Sequence, residues 1–282
     1  MPIELRSVSY TYAPGTPYCA HAIKELSLTI NDGEFVGVMG RTGCGKSTLI
    51  QLIAGLISPT RGQILLDGRD INDRRFDRSL LHRRIGVVFQ FPEIQLFETT
   101  VGRDVAFALR HFDWTEEEKT ASVRASLESV GFDYDKVKDK SPLGFSGGEK
   151  RRIAIAGVLA AKPDILILDE PVAGLDPLGR DAFLAMLDEL HREGRTIIMI
   201  SHNADAIAEH AGRVIVLRDG ELLRDGSVSE IFSDFAALSD NGVGTLSVGR
   251  TVELLRRRGV ELPADTVRYS QLLSAIVGRW PL

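Results

Sequence analysis

The segment GRTGCGKS, Gly40–Ser47, sets a glycine, four residues and then Gly-Lys-Ser between two apolar runs, FVGVMG before it and STLIQLIAGL after it. Gly40, Gly43 and Gly45 let the backbone curl until its N–H groups converge on one anion, at the positive end of the helix that follows. Lys46 adds a full charge suited to the β- and γ-phosphates of a nucleoside triphosphate. Ser47 offers a hydroxyl to magnesium, and Thr48 starts the helix. Arg41, Thr42 and Cys44 belong to the same loop and work through their backbone, so residues 40–48 are the candidate nucleotide-binding segment.

A second segment, ILILDE (165–170), is an apolar strand that delivers two carboxylates at its C-terminal end, where open α/β sheets bind ligands. Asp169 is the expected magnesium partner through water, and Glu170 the group that polarises an attacking water. A lone acidic pair ending a strand is more often a helix cap or a surface charge. The phosphate loop upstream and Pro171 immediately after favour the chemical reading. A third segment, FSGGEKRR, places Ser146, Gly147 and Gly148 at a helix start about twenty residues before the acidic strand. Two glycines there expose N–H groups at a positive helix end, a second phosphate cradle that one nucleotide in one subunit has no evident way to share.

Stepping outward, residues 3–12 and 26–38 read as strands punctuated by Pro14-Gly15 and Asp32-Gly33. The runs 84–90, 164–170, 195–202 and 213–220 are short, apolar and suited to parallel strands buried on both faces. Between about 101 and 162 the periodicity is helical. After Gly226 short helices are expected, opened by a capping box of Ser227 with Glu230 and closed at Gly259 and Pro263.

Composition bounds the function. The 282 residues are 44% hydrophobic and 26% charged, an ordinary globular balance, and the net charge of −5 gives no electrostatic reason to seek nucleic acid or an anionic bilayer. The basic clusters Arg74-Arg75, Arg83-Arg84 and 256–258 read as solvated faces or helix ends. Two cysteines, Cys19 and Cys44, are too few for a disulfide framework and fit a reducing cytosol. No apolar run reaches the roughly 18 residues needed to span a bilayer, and MPIELRSVSY lacks an export signal. Work at a membrane would therefore go through a partner.

The order of phosphate loop, Gln90, Ser-Gly-Gly, acidic strand, AGLD (173–176) and His202 resembles the ATP-binding-cassette ATPases over residues 1 to about 224. The resemblance implies an α/β phosphate-loop NTPase fold: a RecA-like core with a mainly parallel sheet, an N-terminal antiparallel β part, and a helical signature subdomain at about 91–162. A small C-terminal helical appendage would cover 225–282. It also implies that two subunits sandwich two ATP molecules, with Mg2+, so that Ser146, Gly147 and Gly148 clasp the γ-phosphate held by the partner's loop. By position, Tyr12 would stack on adenine, Gln90 contact magnesium and water while sensing a membrane partner, Asp176 contact the other subunit, and His202 act as γ-phosphate switch. Taken alone, Tyr12 could be a strand aromatic and His202 a core histidine.

The segments VVFQFPEIQLFETTVGRDVAF (87–107), RRIAIAGVLAAKPDILILDEPVAGLDP (151–177) and YAPGTPY (12–18) look more specifically like the energy-coupling factor transporter ATPases. That resemblance implies an importer of vitamins or metal ions, peripheral on the cytoplasmic face of the cell membrane. Its partners would be a second cassette ATPase, identical or paralogous, a transmembrane coupling protein and a substrate-binding membrane protein. The appendage would help hold the two ATPases together. Phe91, Pro92, Leu96 and Phe97 would form a groove for coupling helices, or else simply pack in the core. The family usually has leucine where Phe145 stands and often glutamine at Glu149. A soluble cassette acting on nucleic acid would carry a long coiled coil between loop and signature; about 100 residues separate Lys46 from Ser146, with no heptad array. A non-hydrolysing scaffold would be expected to lack Glu170 or His202.

Overall fold

The computed structural model describes residues 2–232, 246–263 and 266–279. It divides into two compact units, one of residues 1–76 with 198–282 and one of 77–197.

In the first unit, β1 (Ile3–Tyr12) pairs antiparallel with β2 (Ala20–Ile30), Ile3 opposite Ile30 and Tyr12 opposite Ala20. On its other side β1 pairs with the hairpin of β4 (Arg61–Leu66) and β5 (Arg69–Asp70), giving the expected antiparallel N-terminal sheet in the order β2-β1-β4-β5. The apolar stretch 26–38 is two strands, not one. Glu34 N–H donates to Asn31 O across a turn in which Gly33 takes φ 68°, and a new strand, β3 (Phe35–Met39), starts beyond it. β3 is buried along its whole length and runs parallel to β9 (Arg213–Arg218), to which β10 (Glu221–Ser227) returns antiparallel.

Gly37 in mid-β3 has a packing reason. A Cβ there would lie 2.4 Å from Ile207 Cγ2, so its absence lets α8 (Ala204–His210) lie against the strand. The capping box that opens α9 (Val228–Phe232) is present: Glu230 N–H donates to Ser227 Oγ at 3.3 Å, and Ser227 N–H to Glu230 Oε2 at 2.8 Å. Two further helices, α10 (Ser247–Arg257) and α11 (Tyr269–Arg279), share a small core of Val248, Val252 and Leu272. The rest of the expected appendage, at 233–245, 264–265 and 280–282, lies outside the described residues.

In the second unit, β6 (Ile85–Val88) runs parallel to β7 (Ile165–Asp169), Ile85 beside Ile165 and Val88 beside Leu168. Around them lie α2 (Arg78–Arg84), α3 (Val101–Ala106), α4 (Glu116–Ser129), α5 (Tyr134–Val137), α6 (Gly147–Leu159) and α7 (Pro177–Arg192). The helical periodicity of residues 101–162 is thus realised in several short helices and not in one long one. Arg83 and Arg84 lie in the last turn of α2, the helix-end alternative, and Arg84 Nε also donates to Asp164 Oδ2 at 2.8 Å, tying the start of β6 to the start of β7. The buried strand β8 (Thr196–Ile200) straddles the boundary between the units.

Candidate functional site

The phosphate loop leaves β3 at Gly40 and enters α1 (Lys46–Ile53) through Gly45, whose backbone sits at φ 107° and caps the helix with no side-chain bond. A Cβ at Gly40 would meet Leu217 O at 2.3 Å, and one at Gly45 would meet Ala22 O at 2.5 Å. The loop is therefore pressed from behind by β9 and β2, and only glycine fits those positions. Gly43 differs: its φ is 81°, and among the described residues nothing lies within 4 Å of an added Cβ. Cys44 is buried, and its carbonyl accepts from Gly220 N–H at 3.0 Å, so the β9–β10 turn also braces the loop.

Lys46 is 7% exposed, and its Nζ donates to Gly40 O at 2.6 Å and Arg41 O at 2.9 Å. The ammonium thus lies within the curve of the loop, where a polyphosphate would need it. Arg41, Thr42, Gly43 and Ser47 are exposed and Thr48 is buried, so Ser47 presents the accessible hydroxyl of the pair. Tyr12 ends β1 with its ring 40% exposed, edge-on to Tyr10 at 4.8 Å, and its hydroxyl meets Thr48 Oγ1 at 3.2 Å and Gln51 Oε1 at 3.3 Å. An aromatic face is thereby tethered to the phosphate-loop helix. His202 follows β8 and is exposed, so the core-histidine alternative does not hold.

The remaining candidates belong to the second unit. Asp169 ends β7 and is 9% exposed. Glu170 takes φ 49°, a left-handed backbone that non-glycine residues adopt at a cost of about 1–2 kcal/mol. Gln90, exposed, follows β6 and precedes Phe91, which is also left-handed at φ 60°. Asp176 caps α7, its Oδ1 accepting from Gly179 N–H at 2.8 Å.

At the start of α6, Glu149 N–H donates to Ser146 Oγ at 3.4 Å, and Glu149 Oε2 accepts from Ser146 N–H at 2.9 Å and from its hydroxyl at 2.7 Å. Those bonds to Ser146 hold the Glu149 carboxyl below its ordinary value. Among the described residues, no atom lies within 4 Å of a Cβ added at Gly147 or Gly148. The glutamate in place of the family's glutamine is thus part of a complete capping box. Phe145 stands edge-on to Phe132 at 5.9 Å, and Arg152 lies over the Phe132 ring at 4.7 Å, so the aromatic has a packing partner of its own.

Two residues that sequence reasoning did not single out also converge in this unit. Arg151, 4% exposed, donates through Nη2 to Glu170 O at 2.5 Å and through Nη1 to Ala173 O. Glu93 lies on the turn after Gln90, in a 3-10 helix (Pro92–Gln95) that packs on α6. The signal available was a basic run, Lys150 to Arg152, at the start of a helix that continues apolar.

The groove residues separate. Pro92 is buried, while Phe91 and Phe97 are 52% and 64% exposed. A cavity of about 310 Å³ is lined by Leu96, Phe97, Asp104, Phe107, Ile153 and Gly157 among others, with Phe97 edge-on to Phe107 at 4.7 Å. Asp104 accepts from Phe97 N–H and Glu98 N–H, and burial pushes its carboxyl above the ordinary value. No helix among the described residues is long and apolar enough to cross a membrane.

Comparison with known proteins shows the family of the chain. The family described as ABC transporter matches residues 23–173. The energy-coupling factor transporter ATP-binding protein EcfA2 of Clostridium perfringens is 44% identical over 278 residues, covering 98% of each chain. The protein of the same name from Symbiobacterium thermophilum is 45% identical, covering 99% of this chain and 96% of its own. Among solved structures, cbiO1 from Clostridium perfringens, described as part of the ABC transporter complex cbiONQ, superposes with a TM-score of 0.74 at 35% identity, over 90% of this chain and 98% of that one. A dimeric post-hydrolysis state of the ATP-binding cassette MJ0796, bound to ADP and Pi, gives 0.71 at 30% identity over 80% and 98%.

Proposed function

We propose, on the premise that this chain belongs to the ABC transporter family and is an ATPase of the energy-coupling factor type, that it hydrolyses ATP in a facing pair of cassettes to power uptake of a vitamin or metal ion through membrane partners. The observation that carries the reading is the loop 40–48: glycines pressed from behind, an open side at Gly43, and the Lys46 ammonium inside the curve. The backbone N–H groups of this loop cradle the phosphates, Lys46 neutralises their charge, and the exposed ring of Tyr12 stacks on adenine.

The donor chemistry suits magnesium: Ser47 in the first unit, and Asp169 and Gln90 in the second, each carry a hard oxygen of the kind that ion takes. When bound, magnesium would supply positive charge to offset the negative charge that develops during phosphoryl transfer. Glu170 orients and polarises the attacking water, and His202 contacts the γ-phosphate. Phosphoryl transfer requires no covalent group from the protein, so positioning and charge carry the acceleration.

Ser146, Gly147 and Gly148 serve the nucleotide of a second cassette, identical or paralogous, and Asp176 meets that subunit. The open space above both glycines supports this role, and the capping box fixes the helix end that offers it. The groove at Leu96 and Phe97 receives the transmembrane coupling protein, a separate membrane protein selects the substrate, and residues 225–282 help hold the ATPases together beyond the cassette of 1–224. The chain then sits peripherally on the cytoplasmic face. Its net charge of −5 argues against a nucleic-acid partner. Replacing Glu170→Gln tests the core of the reading: ATP binding persists while turnover falls by at least about tenfold. Unchanged turnover in that variant removes Glu170 from the mechanism.

A further inference from the structure

Arg151 is a buried cation inside the signature helix, and none of the roles above employs it. Its two terminal nitrogens donate to the carbonyls of Glu170 and Ala173, while Nε is buried with no hydrogen-bond partner among the described residues. On the turn that packs against the same helix, Glu93 Oε2 is likewise buried and unpartnered. Burial pushes the Arg151 guanidinium below its ordinary value, and the negative charges of Glu93 and Glu170 act against that. A charge taken out of water needs such anions nearby. The carbonyl that Arg151 holds belongs to a residue in the left-handed region, at φ 49°, a conformation that persists only where neighbours over-determine it.

We propose that Arg151 is a positioning residue for Glu170: the guanidinium fixes the strained backbone at the end of β7, and Glu93, on the turn that packs against α6, supplies a buried anion that favours its charge. Movement of that turn changes the charge near the guanidinium that bonds the Glu170 carbonyl. The inference rests on Glu170 being the group that polarises water.

The test is steady-state ATPase measurement on the full chain with Glu93→Gln, Arg151→Lys, the double variant and Glu170→Gln as reference. Glu93→Gln keeps both carbonyl bonds and removes the anion; Arg151→Lys keeps the charge and loses the planar fork. Each single variant lowers kcat about ten- to a hundredfold, the range for a misplaced catalytic group. KM for ATP stays within about twofold, because the phosphate loop is untouched. The double variant is no slower than the worse single, since both act through one element. The proposal is overturned if both single variants keep wild-type kcat, if their losses multiply in the double, or if KM rises while kcat holds. Should Glu170→Gln itself turn over normally, the assignment beneath the proposal fails; should it be inactive while both single variants are normal, only the positioning role fails.

Discussion

Replacing Gly45→Ala adds two costs, of which Gly43→Ala carries one. Both glycines have positive φ, 107° and 81°, so an L-residue at either position costs about 1–2 kcal/mol. At Gly45 the new Cβ also falls 2.5 Å from Ala22 O and 2.9 Å from Ile23 Cδ1. The carbonyl belongs to β2, whose register against β1 is fixed by Ile23 opposite Tyr10 and His21 opposite Thr11, so it cannot withdraw without disturbing the sheet. Overpacking of that kind costs about 1–3 kcal/mol, bringing the total to about 2–5 kcal/mol. At about 2–4 °C per kcal/mol for a chain of this size, Gly45→Ala lowers the melting midpoint by about 4–20 °C and Gly43→Ala by about 2–8 °C. The methyl of Gly43→Ala enters space free of described atoms, at the opening of the cradle, so this variant loses ATP affinity out of proportion to its stability. Calorimetric melting with a fluorescent-nucleotide titration measures both. Equal melting midpoints for the two variants would refute the claim that β2 presses on the loop.

Two further outcomes follow from side chains. Tyr12→Ala weakens ATP binding by roughly five- to a hundredfold, the range for base–aromatic stacking, whereas Tyr12→Phe keeps the ring, loses only the bonds to Thr48 and Gln51, and stays near wild type; equal losses in the two nucleotide titrations would discard the stacking role. Burial raises the folded-state pKa of Asp104 above its unfolded value, so this group's contribution to stability is best below the unfolded pKa and declines as pH rises through the window up to the folded one; Asp104→Asn keeps an oxygen for the Phe97 and Glu98 N–H groups, so its melting midpoint gains on wild type across that window, and a pH-independent difference would contradict the assignment.

The phosphate loop, the acidic strand and the signature helix start were legible because their chemistry is local: positive φ demands glycine, and an N-cap demands Ser146. The buried runs that became β6, β7, β8 and β9 were legible for a similar reason, being apolar on both faces. β2 was located too late in the sequence, since its first residues, Ala20 to Glu25, earn strand geometry only by pairing with Tyr12 and Tyr10 across the sheet. β10, half exposed and ending in Arg-Asp-Gly-Ser, shows no alternation that would mark it. Arg151 and Glu93 were invisible because an arginine in a basic run, like a single glutamate in a turn, reads as solvated. Their burial is tertiary: the Pro92–Gln95 turn docks on α6, and Arg151 reaches the carbonyls after β7.

Both parallel strands of the second unit end in a non-glycine residue forced to positive φ nearby, Phe91 at 60° after β6 and Glu170 at 49° after β7. Each costs about 1–2 kcal/mol that glycine would have avoided. At Glu170 the offset is visible, since a buried guanidinium bonds the carbonyl and so stabilises the strained residue over its relaxed alternatives. Near Phe91 the next residue, Pro92, is buried with its φ fixed by the ring, and Glu93 after it faces the same guanidinium's charge. The two strained positions therefore depend on one helix, α6, whose first residues are the signature serine and glycines. A displacement of α6 would weaken the restraint on Glu170 and the anchorage of the turn after Gln90 together. The signature segment, the Glu170 backbone and the turn after Gln90 are in this way coupled by packing within a single unit.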